Sequence, residues 1–238
     1  MRVEIWSDIA CPWCYVGKAR FEKALRAFPH RDQVEVVHRS FELDPGRDKA
    51  ETGPVIPMIA KKYGISEAQA EAAEDNLGVQ AAAEGLEYRT RGRDNGNTFD
   101  MHRLLHLAKK QGRQDALIQA FYRANFAEER SVFAEGDERL VELAVAAGLD
   151  ADDVRKVLAD PDAYADDVRA DEREAAQLGA TGVPFFVLDR KFGVSGAQPA
   201  EVFEQALTQA WGDRSPLTLI DQGDADACGP DGCAVPQR

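Results

Sequence analysis

Cys11 and Cys14 lie two residues apart, with Pro12 and Trp13 between them. They follow a short apolar run, Val3-Glu4-Ile5-Trp6-Ser7, and precede a stretch from Tyr15 to Phe28. In that stretch Val16, Ala19, Phe21, Ala24, Leu25 and Phe28 recur at mostly helical spacing. A dithiol where a strand gives way to a helix has a defined chemistry. The first helical turn leaves backbone N–H groups unpaired and carries the positive end of the macrodipole. A thiolate placed there is stabilised. The second thiol can then close a small ring and expel the partner of a mixed disulfide.

The other two cysteines, Cys228 and Cys233, stand at the far end of the chain around Gly229-Pro230-Asp231-Gly232. That turn is able to bring the two thiols within bonding distance. The pair reads either as a disulfide clip on a tail or as a second exchange couple serving Cys11 and Cys14. Together the four cysteines also match a four-thiolate zinc site. Proline directly after Cys11, and a Val183-Pro184 strand start late in the chain, favour redox chemistry. His102 and His106 have the spacing of two ligands on one helix face, but no third ligand stands nearby, so no metal site is expected.

The elements that must position the dithiol follow from the pattern. Val34 to Phe41 reads as a second strand, parallel to the first by a right-handed crossover. Residues 42–57 read as a loop leaving the sheet. Ser66-Glu67-Ala68-Gln69 is a capping box opening an Ala-rich helix to about Glu84, and Asn95-Gly96-Asn97 reads as a turn. Helices are predicted over 98–111, 116–126, 138–147 and 152–158. Asp160-Pro161 predicts another helix start, ended by Gly179. Residues 183–188 and 192–195 form a hairpin about Asp189-Arg190-Lys191, and Pro199 to Trp211 is a last helix. Without the helical block the order is βαβαββα. The predicted fold is α/β, a thioredoxin fold with a four-stranded mixed sheet, formed by 1–45 and 161–212. An all-helical insertion spans 46–160, and a tail with the second cysteine pair spans 213–238.

The chain carries 42 acidic against 29 basic residues, a formal charge of −13 with the signs interspersed. Nucleic-acid binding, which needs clustered cations, is not expected. No stretch has the length of a membrane span, and Met1-Arg2 run straight into the first strand, so the expected location is the cytoplasm. In that compartment a CxxC is more often catalytic or metal-binding than a static disulfide.

Ser7-Asp8-Ile9-Ala10-Cys11-Pro12-Trp13-Cys14, Ser40-Phe41-Glu42-Leu43, Asn97-Thr98 with His102-Arg103-Leu104, Gly182-Val183-Pro184-Phe185-Phe186, and the pair Cys228 and Cys233 together resemble the DsbA-like thiol oxidoreductases, in their FrnE-like subgroup. The resemblance covers nearly the whole chain. It implies that Cys11 is an exposed attacking thiolate and Cys14 a buried resolving thiol. It implies a cis bond between Val183 and Pro184 facing the dithiol, with backbone open to a substrate strand. Pro12 becomes a substrate contact, Trp13 either a substrate contact or a cap over the disulfide, and His102 a wall of the substrate cleft. The family also places a buried acid in the first strand to move protons at the second cysteine; Glu4 or Ile5 holds that place here.

The expected activity is protein disulfide oxidation or isomerisation, without metal or nucleotide, the dithiol itself being the redox group. The expected partners are protein or small thiol and disulfide substrates, glutathione among the candidates. Two alternatives stay open. One is a glutathione-dependent transferase or isomerase similar to the kappa-class transferases and 2-hydroxychromene-2-carboxylate isomerases, which usually carry serine at the Cys11 position. The other is a zinc-stabilised or chaperone-like binding module.

Overall fold

The computed structural model describes residues 1–133 and 136–214, and beyond them the backbone of 228–229 and 232–233. The first strand, β1 (Arg2–Ser7), is the second of four in a mixed sheet. β2 (Glu35–Ser40) lies parallel on one side of it, and β5 (Phe185–Leu188) lies antiparallel on the other. β6 (Phe192–Ser195) completes the sheet antiparallel to β5. Asp189 and Arg190 take left-handed backbone angles in the connecting turn, which lets the hairpin close in three residues, Asp189 to Lys191.

Alternation along β1 feeds two faces. Val3 and Ile5 pack with Phe21 and Phe28 of α1 (Pro12–Ala27), with Phe186, and with Phe203 and Leu207 of α9 (Ala200–Gly212). Trp6 turns to the other face, against Val187 and Ala175 of α8 (Ala165–Gln177). Its indole N–H donates to the Asp171 carbonyl at 2.8 Å.

The chain between β2 and α8 folds into a second layer of helices. A short ladder joins β3 (Gly53–Pro54) to β4 (Asp94–Asn95), and from it spring α2 (Val55–Tyr63) and α3 (Glu67–Ala83). Asn95, predicted as part of a turn, is therefore a ladder residue; the pairing with Gly53 is too short and too distant in sequence to show as a pattern. The predicted capping box is present: Gln69 N–H donates to the Ser66 hydroxyl, and Ser66 N–H to the Gln69 side chain. α4 (Phe99–Lys110), α5 (Gln114–Phe126), α6 (Asp137–Ala146) and α7 (Ala151–Ala159) bury a core around Leu104, Leu117, Phe121, Phe126, Leu140 and Val154. Ile9, Cys11, Cys14 and Tyr15 belong to this same cluster, so the dithiol lies where the sheet domain meets the helical layer.

The helix predicted from Asp160-Pro161 begins four residues later, at Ala165. Asp160 instead folds its carboxylate onto the Asp162 N–H in a local turn. The fully buried Arg103 then takes the carbonyls of Val157, Asp160 and Ala163 with one guanidinium nitrogen. The outer margin of β2 is closed by side chains. The Gln114 amide accepts the His38 N–H at 3.0 Å and donates to the His38 carbonyl at 2.9 Å, and the Asp171 carboxylate accepts the Ser40 N–H at 2.9 Å.

Among the described residues no helix is long and apolar enough to cross a membrane. In the tail, Cys228 and Cys233 are opposite backbone partners in a two-residue ladder, β7 (Cys228–Gly229) with β8 (Gly232–Cys233). The disulfide expected between their side chains, and the docking of the tail, lie outside the described residues.

Candidate active site

Cys11 is the N-cap of α1, and Pro12 follows as a first helical residue that needs no N–H partner. The Cys14 N–H donates to the Cys11 carbonyl at 3.0 Å, and the Cys11 N–H to the Asp8 carbonyl at 3.2 Å. Opposite stands Val183, joined to Pro184 by a cis peptide bond. The Cys11 thiol donates to the Val183 carbonyl at 3.6 Å, and the Pro184 carbonyl accepts the Gly196 N–H at 2.8 Å. Residues 172 positions apart are thus brought together by the adjacency of β1 and β5. Gly17 makes the approach possible: a Cβ there would lie 2.9 Å from Pro184 Cγ and 3.3 Å from Ala197.

Cys11 is only 5% exposed, not the open thiol that the resemblance implies. The reason is the helical layer: α2 and α3 roof the helix start and enclose a cavity of about 430 Å³ in front of it. Cys11, Pro12 and Trp13 form one wall; Met58, Ile59 and Leu77 form another. Trp13 is 39% exposed at this rim, an unusual placement for an indole. Glu74 and Arg93, a buried ion pair, supply a polar patch at the edge of the same cavity.

Cys14 is 1% exposed. Burial pushes its thiol well above the ordinary value, and the neighbouring Cys11 sulfur and the Asp8 charge push the same way. The Tyr122 phenol, also fully buried beside the two sulfurs, is likewise raised and accepts a hydrogen bond from Ser7. Asp8 shows the opposite balance. Burial alone would raise its carboxyl, but hydrogen bonds from His102 and the Leu43 N–H hold it below the usual range.

His102 is not a wall of the cleft. It is 1% exposed and turned inward, with Nε2 3.3 Å from Asp8 Oδ1. Its apparent partner in spacing, His106, faces Asp171 and Ser40 instead, so the two imidazoles serve different contacts. The first-strand acid is also resolved. Glu4 is committed to Arg39 and Arg190, and Ile5 is buried among apolar side chains. Asp8 was not singled out by sequence reasoning; its signal, an acid three residues before the first cysteine, has no meaning until His102 arrives from 94 positions away.

Residues 2–208 match the DSBA-like thioredoxin domain model. A solved structure of a probable DsbA oxidoreductase from Streptomyces coelicolor is 78% identical, covers 100% of both chains and superposes with a TM-score of 0.91. A 2-hydroxychromene-2-carboxylate isomerase shares the fold at 16% identity and a TM-score of 0.64, over 91% of this chain and 100% of its own. The cytosolic disulfide reductase DsbM from Pseudomonas aeruginosa, solved with GSH, does so at 17% and 0.58, over 88% and 98%. With its dithiol at the start of α1 and the cis Val183–Pro184 bond beside it, the chain belongs to the DSBA-like thioredoxin domain family.

Proposed function

We propose that this protein catalyses thiol–disulfide exchange, with Cys11 as nucleophile and Cys14 as resolving thiol. The observation that carries this reading is the asymmetry of the pair: the Cys11 sulfur borders the cavity and faces the Val183 carbonyl, while Cys14 lies behind it with its thiol held protonated. Cys11 attacks a disulfide in the cavity, the leaving thiolate departs, and a mixed disulfide forms. Cys14 then attacks Cys11 and frees the second thiol. The mostly apolar cavity suits a disulfide flanked by an apolar group, either a peptide side chain or a small thiol, and we include glutathione among the substrates. The dithiol is the redox group, and the protein works in the cytoplasm, where an exchange couple of this kind is kept poised by the thiol pool.

A glutathione-dependent isomerase is the second reading, favoured by the fold shared with the 2-hydroxychromene-2-carboxylate isomerase and by the enclosed cavity. One pair of variants separates them. Cys11→Ser should abolish reduction of a disulfide substrate, and Cys14→Ser should accumulate a mixed disulfide at Cys11, seen by mass. Full exchange activity in Cys11→Ser would overturn the first reading; glutathione-dependent turnover retained in that variant would support the second.

A further inference from the structure

The cavity in front of Cys11 holds about 430 Å³. Small-molecule sites span about 300–1,000 Å³. A docked protein instead needs an open face of about 800 Å² on each partner. Cys11, at 5% exposure, offers no such face. Val183 and Pro184, whose backbone a substrate strand would pair with, are not among the residues lining the cavity. Its body is apolar, with Trp13 on one side and Met58, Ile59 and Leu77 on the other. Its charges answer one another. Asp8 meets His102 at 3.3 Å, Asp44 meets Arg47 at 3.1 Å, and Glu74 meets Arg93, which leaves Lys62 and Asp94, of opposite sign. The lining therefore calls for no charged ligand. The roof can adapt. Of the residues of α2 only Val55 is buried. A second cavity, of about 580 Å³, borders α2 at Pro57 and Lys61, and Leu43, Met58 and Lys62 line both spaces. Room on both sides lets the flexible Met58 side chain repack around a bound group. Trp13 and Leu43, each 39% exposed, and Tyr63, 67% exposed, edge the first cavity. Exposed apolar side chains gathered at one mouth mark a binding groove.

We infer that the substrate is a compact, uncharged disulfide with an apolar alkyl or aryl body, and not a disulfide held in a folded protein. This rests on the thiol-exchange reading and adds the substrate class to it. The apolar body seats between Trp13 and the Met58–Ile59 roof, with its sulfurs at Cys11. The Cys11 thiolate attacks the nearer sulfur. A Cys11–substrate bond forms, the substrate S–S bond breaks, and one thiolate leaves with that electron pair. The Cys14 thiolate then attacks the Cys11 sulfur, the internal disulfide forms, and the second thiolate leaves. Two electrons pass from the dithiol to the substrate, and the two dithiol protons end on the two product thiols. Water is displaced from Trp13, Met58 and Ile59 as the body enters, so affinity grows with the apolar area it carries. Met58 and Ile59 thereby determine specificity.

The test follows oxidation of the reduced protein, quenched in acid and read by mass, with diphenethyl disulfide, hydroxyethyl disulfide, oxidised glutathione and insulin. Each rate is divided by the rate at which dithiothreitol reduces the same disulfide, which removes differences in intrinsic reactivity. The phenethyl disulfide should exceed the hydroxyethyl one about tenfold or more, the effect of burying an aromatic ring, and exceed glutathione and insulin by at least as much. In Ile59→Ser and in Met58→Ser the ratio of phenethyl to hydroxyethyl rates should fall about fourfold or more, the effect of losing one buried methylene. A ratio taken within one protein cancels any general loss of thiol reactivity. Both positions are half-buried, and the unaltered protein decides the substrate class even if neither variant folds. A ratio near one in the unaltered protein, or insulin or glutathione matching the phenethyl disulfide, overturns the class while leaving thiol exchange intact. An unchanged ratio in both folded variants overturns the part given to the roof. No reaction with any of these disulfides overturns the exchange reading and the class with it.

Discussion

Cys14 meets Asp8 and Tyr122, whereas Cys11 meets the cavity and the Val183 carbonyl. Two thiols three positions apart therefore answer differently to the same reagent. Iodoacetamide near neutral pH should modify Cys11 in the reduced protein before Cys14, because the raised Cys14 thiol offers little thiolate. Peptide mass after brief labelling checks the order; equal labelling of both would contradict it. At this scale the sequence is informative wherever chemistry is local. Cys11, Cys14 and Pro184 are recognisable because their neighbours along the chain define them. Asp8 is not, since an acid before a helix reads as an ordinary turn residue. His102 was noticed for its spacing from His106, and the structure gives it another place altogether, behind the thiols instead of along the cavity wall.

Among elements, α1 packs closely against the residues that open β5. Pro184 and Ala197 press against the helix at Gly17, where no Cβ intervenes. Gly17→Ala should force these segments apart and cost about 1–3 kcal/mol, the usual range for overpacking. Urea unfolding measures the stability change. A parallel fall in exchange rate would show that Val183 has withdrawn from Cys11, and an unchanged rate and midpoint would mean the Pro184 ring yields. The strands, the capped helix at Ser66 and the hairpin were legible because periodicity and turn chemistry are short-range signals. The start of α8 was not. Asp160-Pro161 has the form of a helix start, but Arg103 claims three carbonyls around that turn, and no local pattern announces an arginine 57 residues earlier.

Across the whole molecule, the sheet domain and the helical layer are fastened by buried ionisable groups whose contributions are all lost on acidification, but in different pH ranges. His38 is held neutral: burial lowers its imidazole below the ordinary value, against a hydrogen bond to Asp115. The unfolded chain therefore takes up that proton first as pH falls below about 6.5. Stability is present above that point and is lost as pH falls through the folded value. Asp8 and Asp171 are also lowered in the fold. Burial opposes this for both, and His102 and His106 overcome it. Their contribution is complete above about pH 4 and is lost below it, as the folded values are crossed. The urea midpoint should thus fall in two stages on acidification. His38→Gln should remove the first stage and Asp171→Asn should lower the plateau above the second; a midpoint independent of pH down to about 4 in the unaltered protein would contradict the His38 assignment.

The Gln114 amide offers β2 the same donor and acceptor that a peptide group would, and the Asp171 carboxylate occupies the next position along. A bare sheet margin is a template on which another chain can assemble. One margin of this sheet, along β2, is therefore already filled by side chains, and among the described residues β6 at the opposite margin has no strand beyond it. Open-ended stacking of copies requires two free margins on each. A second copy that paired along β6 would present a sealed β2 to any third, so growth by strand addition terminates at a pair.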